Sequence, residues 1–165
     1  MVAKNRQKSV DVLNRAVAEE LTALHQYMYF HFHLEDMGYK PLADLFHKIS
    51  IDEMRHVERL AEHILYLKGD VVMSFAKPVE YIHDNVANML AYADELEKAT
   101  IEHYNEFISI CAAEGDHVTK KIFEEILVQE ENHEDIFDTE GGNLDKFGDT
   151  LLALNAIEYT KENAE

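Results

Sequence analysis

Apolar residues recur at spacings of three and four along almost the whole chain. This pattern predicts four long helices at about residues 5–36, 41–68, 84–113 and 118–140, and a short fifth at 145–158. Turn residues separate them: Gly38 with Pro41, Gly69-Asp70 with Pro78, Gly115-Asp116, and the pair Gly141-Gly142. No run reads as a strand, so the expected fold class is all-α. The first and third main connections are short and make antiparallel hairpins. The stretch from Gly69 to His83 is long enough to run the length of a bundle, which predicts two hairpins joined by one long crossover.

The inward stripe of each helix carries side chains that a core should exclude. The first reads Leu13, Val17, Glu20, Leu24, Tyr27, His31, and the second Phe46, Ile49, Glu53, His56, Leu60, Leu67. The third gives Val86, Leu90, Ala93, Glu97, Tyr104, and the fourth Phe123, Ile126, Glu130, His133, Phe137. Each helix thus places one Glu on its apolar face. A buried carboxylate must neutralise, find a partner or coordinate a metal.

Glu-x-x-His occurs at 53/56, 80/83, 114/117 and 130/133, where composition alone gives roughly one such match. Glu80 and His83 lie in the crossover and Glu114 and His117 straddle a turn glycine, so both pairs are expected in solvated loops. The other two obey a repeat. Glu20 precedes Glu53 by 33 residues, Glu97 precedes Glu130 by the same 33, and a tyrosine, Tyr27 or Tyr104, follows each first Glu by seven. The midpoints of 20/53 and of 97/130 fall next to Gly38 and Gly115, so each Glu pair meets across its hairpin. His56 and His133 stand one turn beyond their Glu on the same face. Joining the hairpins collects four carboxylates and two imidazoles at one level, about 25 Å from either end by helix rise.

Two divalent cations match four carboxylates charge for charge, so the cluster is expected to hold a metal pair. An oxygen-rich set with one His per metal suits iron or manganese better than Cu(I) or structural zinc, and iron is the expected occupant.

Composition fits this picture. The 165 residues suffice for one core, and only two Pro and six Gly interrupt the helix formers. With 33 acidic against 15 basic side chains the net charge is −18. That charge repels phosphate backbones and anionic lipid and attracts cations, so neither nucleic acid nor a membrane is expected as a partner. The single cysteine, Cys111, permits no intramolecular disulfide and is read as a small buried side chain. No apolar leader follows the N-terminus, and a cytoplasmic protein is expected.

The segments EELTALHQY (19–27), SIDEMRH (50–56) and ILVQEENH (126–133) resemble the bacterioferritins, and the resemblance runs from about Ser9 to Ile157. It implies a single ferritin-like di-iron domain over 1–165, with two iron ions per subunit. Glu20 and His56 would be terminal ligands of one iron, Glu97 and His133 of the other, with Glu53 and Glu130 bridging and Tyr27 beside them. The implied activity is ferroxidase, oxidation of Fe(II) by oxygen or peroxide, with ferric mineral stored in a homo-oligomeric cage of 24 subunits built from dimers. A ferredoxin-type reductase is a candidate partner for iron release.

Met54 sits about 100° around the helix from Glu53 and should face a neighbouring helix or subunit. Spacing alone reads it as flexible packing. The resemblance implies that it ligates a b-type haem shared between two subunits. Some bacterioferritins relay iron through a His four residues before an Asp; here Asp52 is present but Lys48 takes the His place, so no relay is expected. His25, His31, His33, His63 and His103 are read as surface or packing residues. Leu151, Leu152, Leu154 and Ile157 give the fifth helix an apolar face suited to assembly. The rival readings are a rubrerythrin-like peroxidase, another di-iron enzyme such as an oxygenase, a twelve-subunit mini-ferritin, and a metal-free helical module. The Cys-rich module of the first is missing, the second shows no reductase-docking feature, the fifth helix weakens the third, and the last leaves four carboxylates unsatisfied.

Overall fold

The computed structural model describes residues 6–163. Residue 5, where periodicity starts the first helix, lies outside them. Five helices follow in order: α1 (Gln7–Asp36), α2 (Lys40–Tyr66), α3 (Val86–Ala113), α4 (His117–Phe147) and α5 (Asp149–Glu162). There is no strand among the described residues. α1 packs chiefly against α2 and α3 against α4, and α5 leans on the ends of α2 and α4.

Local chemistry sets the helix ends. Pro41 stands at the start of α2, where a missing N–H costs nothing. Asn85 caps α3 by accepting from Asn88 N, and Asp116 caps α4 by accepting from Thr119 N. α2 stops at Tyr66 because Lys68 takes a left-handed φ of 64° and Gly69 N returns to Ile64 O at 3.0 Å. Gly69 is needed for a close approach, since a Cβ there would lie 2.6 Å from Val10 Cγ1.

The expected stop at Gly141-Gly142 is corrected. α4 runs through both glycines to Phe147, the break falls at Gly148 (φ 66°), and the fifth helix spans 149–162 rather than 145–158. Phe137 and Leu144 are buried in one cluster with Val86 and Leu152. That packing outweighs the cost of about 1 kcal/mol for each helical glycine.

The crossover runs parallel to α1 and is tied to it at three levels. Val72 N donates to Asn14 Oδ1 at 2.8 Å, Ala76 N to Thr22 Oγ1 at 3.0 Å, and Glu80 N to Gln26 Oε1 at 2.8 Å. Two apolar clusters fill the bundle, one around Phe30, Phe46 and Phe137 and the other around Leu13, Phe107 and Phe123. Between them lies a polar belt of Glu20, Glu53, His56, Glu97, Glu130 and His133, all buried. A core interrupted in this way demands a compensating interaction at the belt.

Candidate metal centre

The six residues come from the middle of four helices and meet as two overlapping groups. Glu20, Glu53, His56 and Glu130 form one, and Glu53, Glu97, Glu130 and His133 the other; within each group the donor atoms lie within 4.8 Å of one another. Glu53 and Glu130 belong to both. His56 Nδ1 stands 3.2 Å from Glu20 Oε2, 3.2 Å from Glu53 Oε2 and 2.7 Å from Glu130 Oε1. His133 Nδ1 stands 3.0 Å from Glu53 Oε1 and 3.7 Å from Glu130 Oε2. The two imidazoles are 6.1 Å apart and nearly parallel.

Glu53 Oε1, Glu130 Oε1 and His133 Nδ1 are buried without a hydrogen-bond partner, close as their neighbours are. Donor atoms that crowd together yet lack hydrogen-bond geometry are poorly satisfied by one another, and a shared cation would satisfy them together. The residues present therefore fit a metal pair.

Protonation shows how the cluster exists without cations. Burial, then the neighbouring carboxylates, pushes Glu53 and Glu97 well above the usual carboxylate range. Burial acts the same way on Glu130, but contact with His133 and His56 outweighs it and holds Glu130 at about 2. Burial depresses both imidazoles, yet the carboxylates around them prevail and raise His56 and His133. In the metal-free protein protons on Glu53, Glu97 and the imidazoles thus offset carboxylate charge, and a cation must displace them.

Neighbouring residues orient the set. Tyr27 Oη donates to Glu97 Oε1 at 2.5 Å, and Tyr104 Oη donates to Glu20 Oε1. Each tyrosine thus anchors a Glu of the other hairpin. Burial, then the carboxylate each one bonds, raises both phenols, so they stay protonated and donate. His56 Nε2 lies 3.2 Å from Gln129 Oε1, while His133 Nε2 has Asp52 Oδ2 at 3.9 Å. Asp52 in turn takes Arg55 Nη1 at 2.8 Å.

Sequence reasoning missed the roles of Tyr104 and Gln129. Tyr104 was legible, being the repeat of Tyr27, and Gln129 precedes Glu130 as Asp52 precedes Glu53. Met54 is 40% exposed on the outer side of α2, away from the belt. Glu80, His83 and His117 are exposed and Glu114 half-buried, taking Lys8 Nζ at 2.5 Å. Two of the histidines read as surface or packing residues have ordinary buried partners: His31 Nδ1 bonds Ala43 O, and His63 Nε2 bonds Thr119 Oγ1, each at 2.8 Å. Among the described residues no helix is long and apolar enough to cross a membrane.

Comparison with known proteins places the chain in a family. The ferritin-like domain family matches residues 10–147. The bacterioferritin of Desulfovibrio desulfuricans is 42% identical, over 92% of this chain and 87% of its own length. That of Brucella melitensis is 34% identical, over 93% and 95%. A crystal structure of the Desulfovibrio desulfuricans protein, described with its diiron site in different catalytic states, superposes with a TM-score of 0.89 at 38% identity, covering 92% of this chain and 88% of that one. The Rhodobacter capsulatus bacterioferritin, described with a metal-free dinuclear site and haem iron in a crystallographic special position, gives 0.87 at 31%, covering 93% and 94%. With this fold, these coverages and these identities, the chain belongs to the bacterioferritins, within the ferritin-like proteins.

Proposed function

We propose that the chain is the subunit of an iron-storage cage and oxidises Fe(II), its substrate, at the centre between the two hairpins. The observation that carries this reading is the pair of buried four-residue donor groups sharing Glu53 and Glu130, with donor atoms left unpartnered. Glu20 and His56 would hold one iron, Glu97 and His133 the other, and Glu53 and Glu130 both. Two adjacent irons supply two electrons to one oxidant, oxygen or peroxide.

The protein's own part is to place and hold donors. Tyr27 and Tyr104 each fix one carboxylate oxygen, leaving the other oxygen of Glu97 and Glu20 to the metals. Gln129 Oε1 accepts a hydrogen bond from His56 Nε2, so Nδ1 is the nitrogen that faces the donor group once its own proton is displaced. The phenylalanines on both sides keep the belt away from bulk water.

Haem and assembly belong to the same reading. The Rhodobacter capsulatus haem iron lies at a special position, and an exposed thioether at Met54 is suited to meeting its copy across a twofold axis. Leu154 and Ile157 of α5 are 53% and 51% exposed and suit packing between subunits, here into a cytoplasmic 24-mer. Glu53→Ala or Glu130→Ala should abolish the fast phase of Fe(II) oxidation in stopped flow. An undiminished initial rate in either protein would place the chemistry elsewhere.

A further inference from the structure

Glu19 Oε2 is buried without a hydrogen-bond partner, although Oε1 of the same carboxylate lies 3.0 Å from His103 Nδ1. Both residues line a cavity of about 170 Å³ between α1 and α3, roofed by Ala76 and Lys77 of the crossover. At about 30 Å³ for each water in the liquid, there is room for a few waters or a partly hydrated ion. The His103 side chain is 43% exposed and that of Glu19 only 15%, so the pair reaches from solvent into the bundle. Glu19 adjoins Glu20 in the chain, one residue from the buried donor group.

The internal repeat makes this pair conspicuous. Glu20, Tyr27, Glu53 and His56 return 77 residues on as Glu97, Tyr104, Glu130 and His133, whereas the same offset turns Glu19 into Leu96 and relates His103 to Gln26. Gln26 is occupied otherwise, holding the crossover through Glu80 N at 2.8 Å and Glu80 O at 3.0 Å. One end of the groove between α1 and α3 is thereby tied shut, and the other carries an acid and an imidazole at a cavity. The Lys77 ammonium is turned aside, 4.8 Å over the Tyr92 ring, and Arg15, one helical turn before Glu19, pairs with Glu106 at 3.5 Å.

We propose that Glu19 and His103 form a transit site that takes a divalent cation, Fe(II) as substrate, from this cavity and passes it to Glu20. The inference rests on the reading of the centre given above. One carboxylate and one imidazole suit Fe(II), and so few protein donors release an ion as readily as they take it, which passage requires.

The test is anaerobic stopped-flow loading of the metal-free full-length protein with Co(II), whose visible absorption reports arrival at the centre without any redox step. Glu19→Gln combined with His103→Ala should slow loading about fivefold or more while final uptake stays at about two Co(II) per chain. Ala99→Leu, which fills the cavity and leaves both donors in place, should slow it likewise. Loading at the wild-type rate in either protein, with uptake unchanged, overturns the transit site and leaves the centre standing. Reduced final uptake in the double variant would make Glu19 or His103 part of the centre and overturn the transit role as well. A wild-type chain that takes up no Co(II) pair would overturn the centre, and the transit site with it.

Discussion

At the residue scale, adjacent side chains on one helix face two different worlds. Glu53 is fully buried in the polar belt, while Met54, about 100° around α2, is 40% exposed. That contrast separates the two metal functions proposed for the chain, and it makes them independently removable. Protein produced with ample haem should show a Soret band that Met54→Leu removes and Glu53→Ala leaves intact. A band that survives Met54→Leu would show that the thioether is not the ligand. The six belt residues were legible because buried charge at helical spacing is rare and the repeat sorted true pairs from chance ones. The pairing of Glu19 with His103 at a cavity was not, because it depends on a roof supplied by the crossover, which no local pattern encodes.

At the element scale, four helices were legible from period alone, and the hairpins from their turn glycines. Gly141-Gly142 misled because a helix end is decided by packing as well as propensity: the burial of Leu144 beside Leu152 carries α4 onward. Gly69 shows the opposite situation, a glycine whose role is invisible without its neighbour Val10. Gly69→Ala should destabilise the metal-free protein by about 1–3 kcal/mol, as overpacking does, lowering its melting temperature by roughly 2–4 °C for each kcal/mol. Gly141→Ala, in a helix with nothing within 4 Å of the added carbon, should instead stabilise it by about 0.4–1 kcal/mol. Equal effects from the two substitutions, read by thermal denaturation, would contradict this account.

For the whole molecule, the polar belt couples folding to pH and to metal. Burial, then Glu20, raises Glu19 from the ordinary 4.5 to about 8. Such an acid is protonated in the fold while the unfolded chain ionises, so it costs stability progressively from about pH 4.5 to about 8. Glu53 and Glu97 act with the same sign. The raised His56 contributes fully below its ordinary 6.5 and loses its contribution as pH climbs beyond. Glu130 opposes them, but its contribution is lost only as pH falls from 4.5 towards about 2. The metal-free protein should therefore melt at a lower temperature at pH 8 than at pH 5.5, and the stabilisation by Co(II) should be larger at pH 8. A melting temperature that rises with pH in the absence of metal would contradict this. The assembly was legible only in part, because Leu154 and Ile157, exposed on α5, suit a contact without saying how many copies meet. The most direct test of the central claim is an anomalous-difference map at the iron edge from crystals soaked anaerobically with Fe(II). Two peaks per chain, both touching Glu53 and Glu130, are predicted; one peak, or peaks confined to the acidic surface, would contradict it.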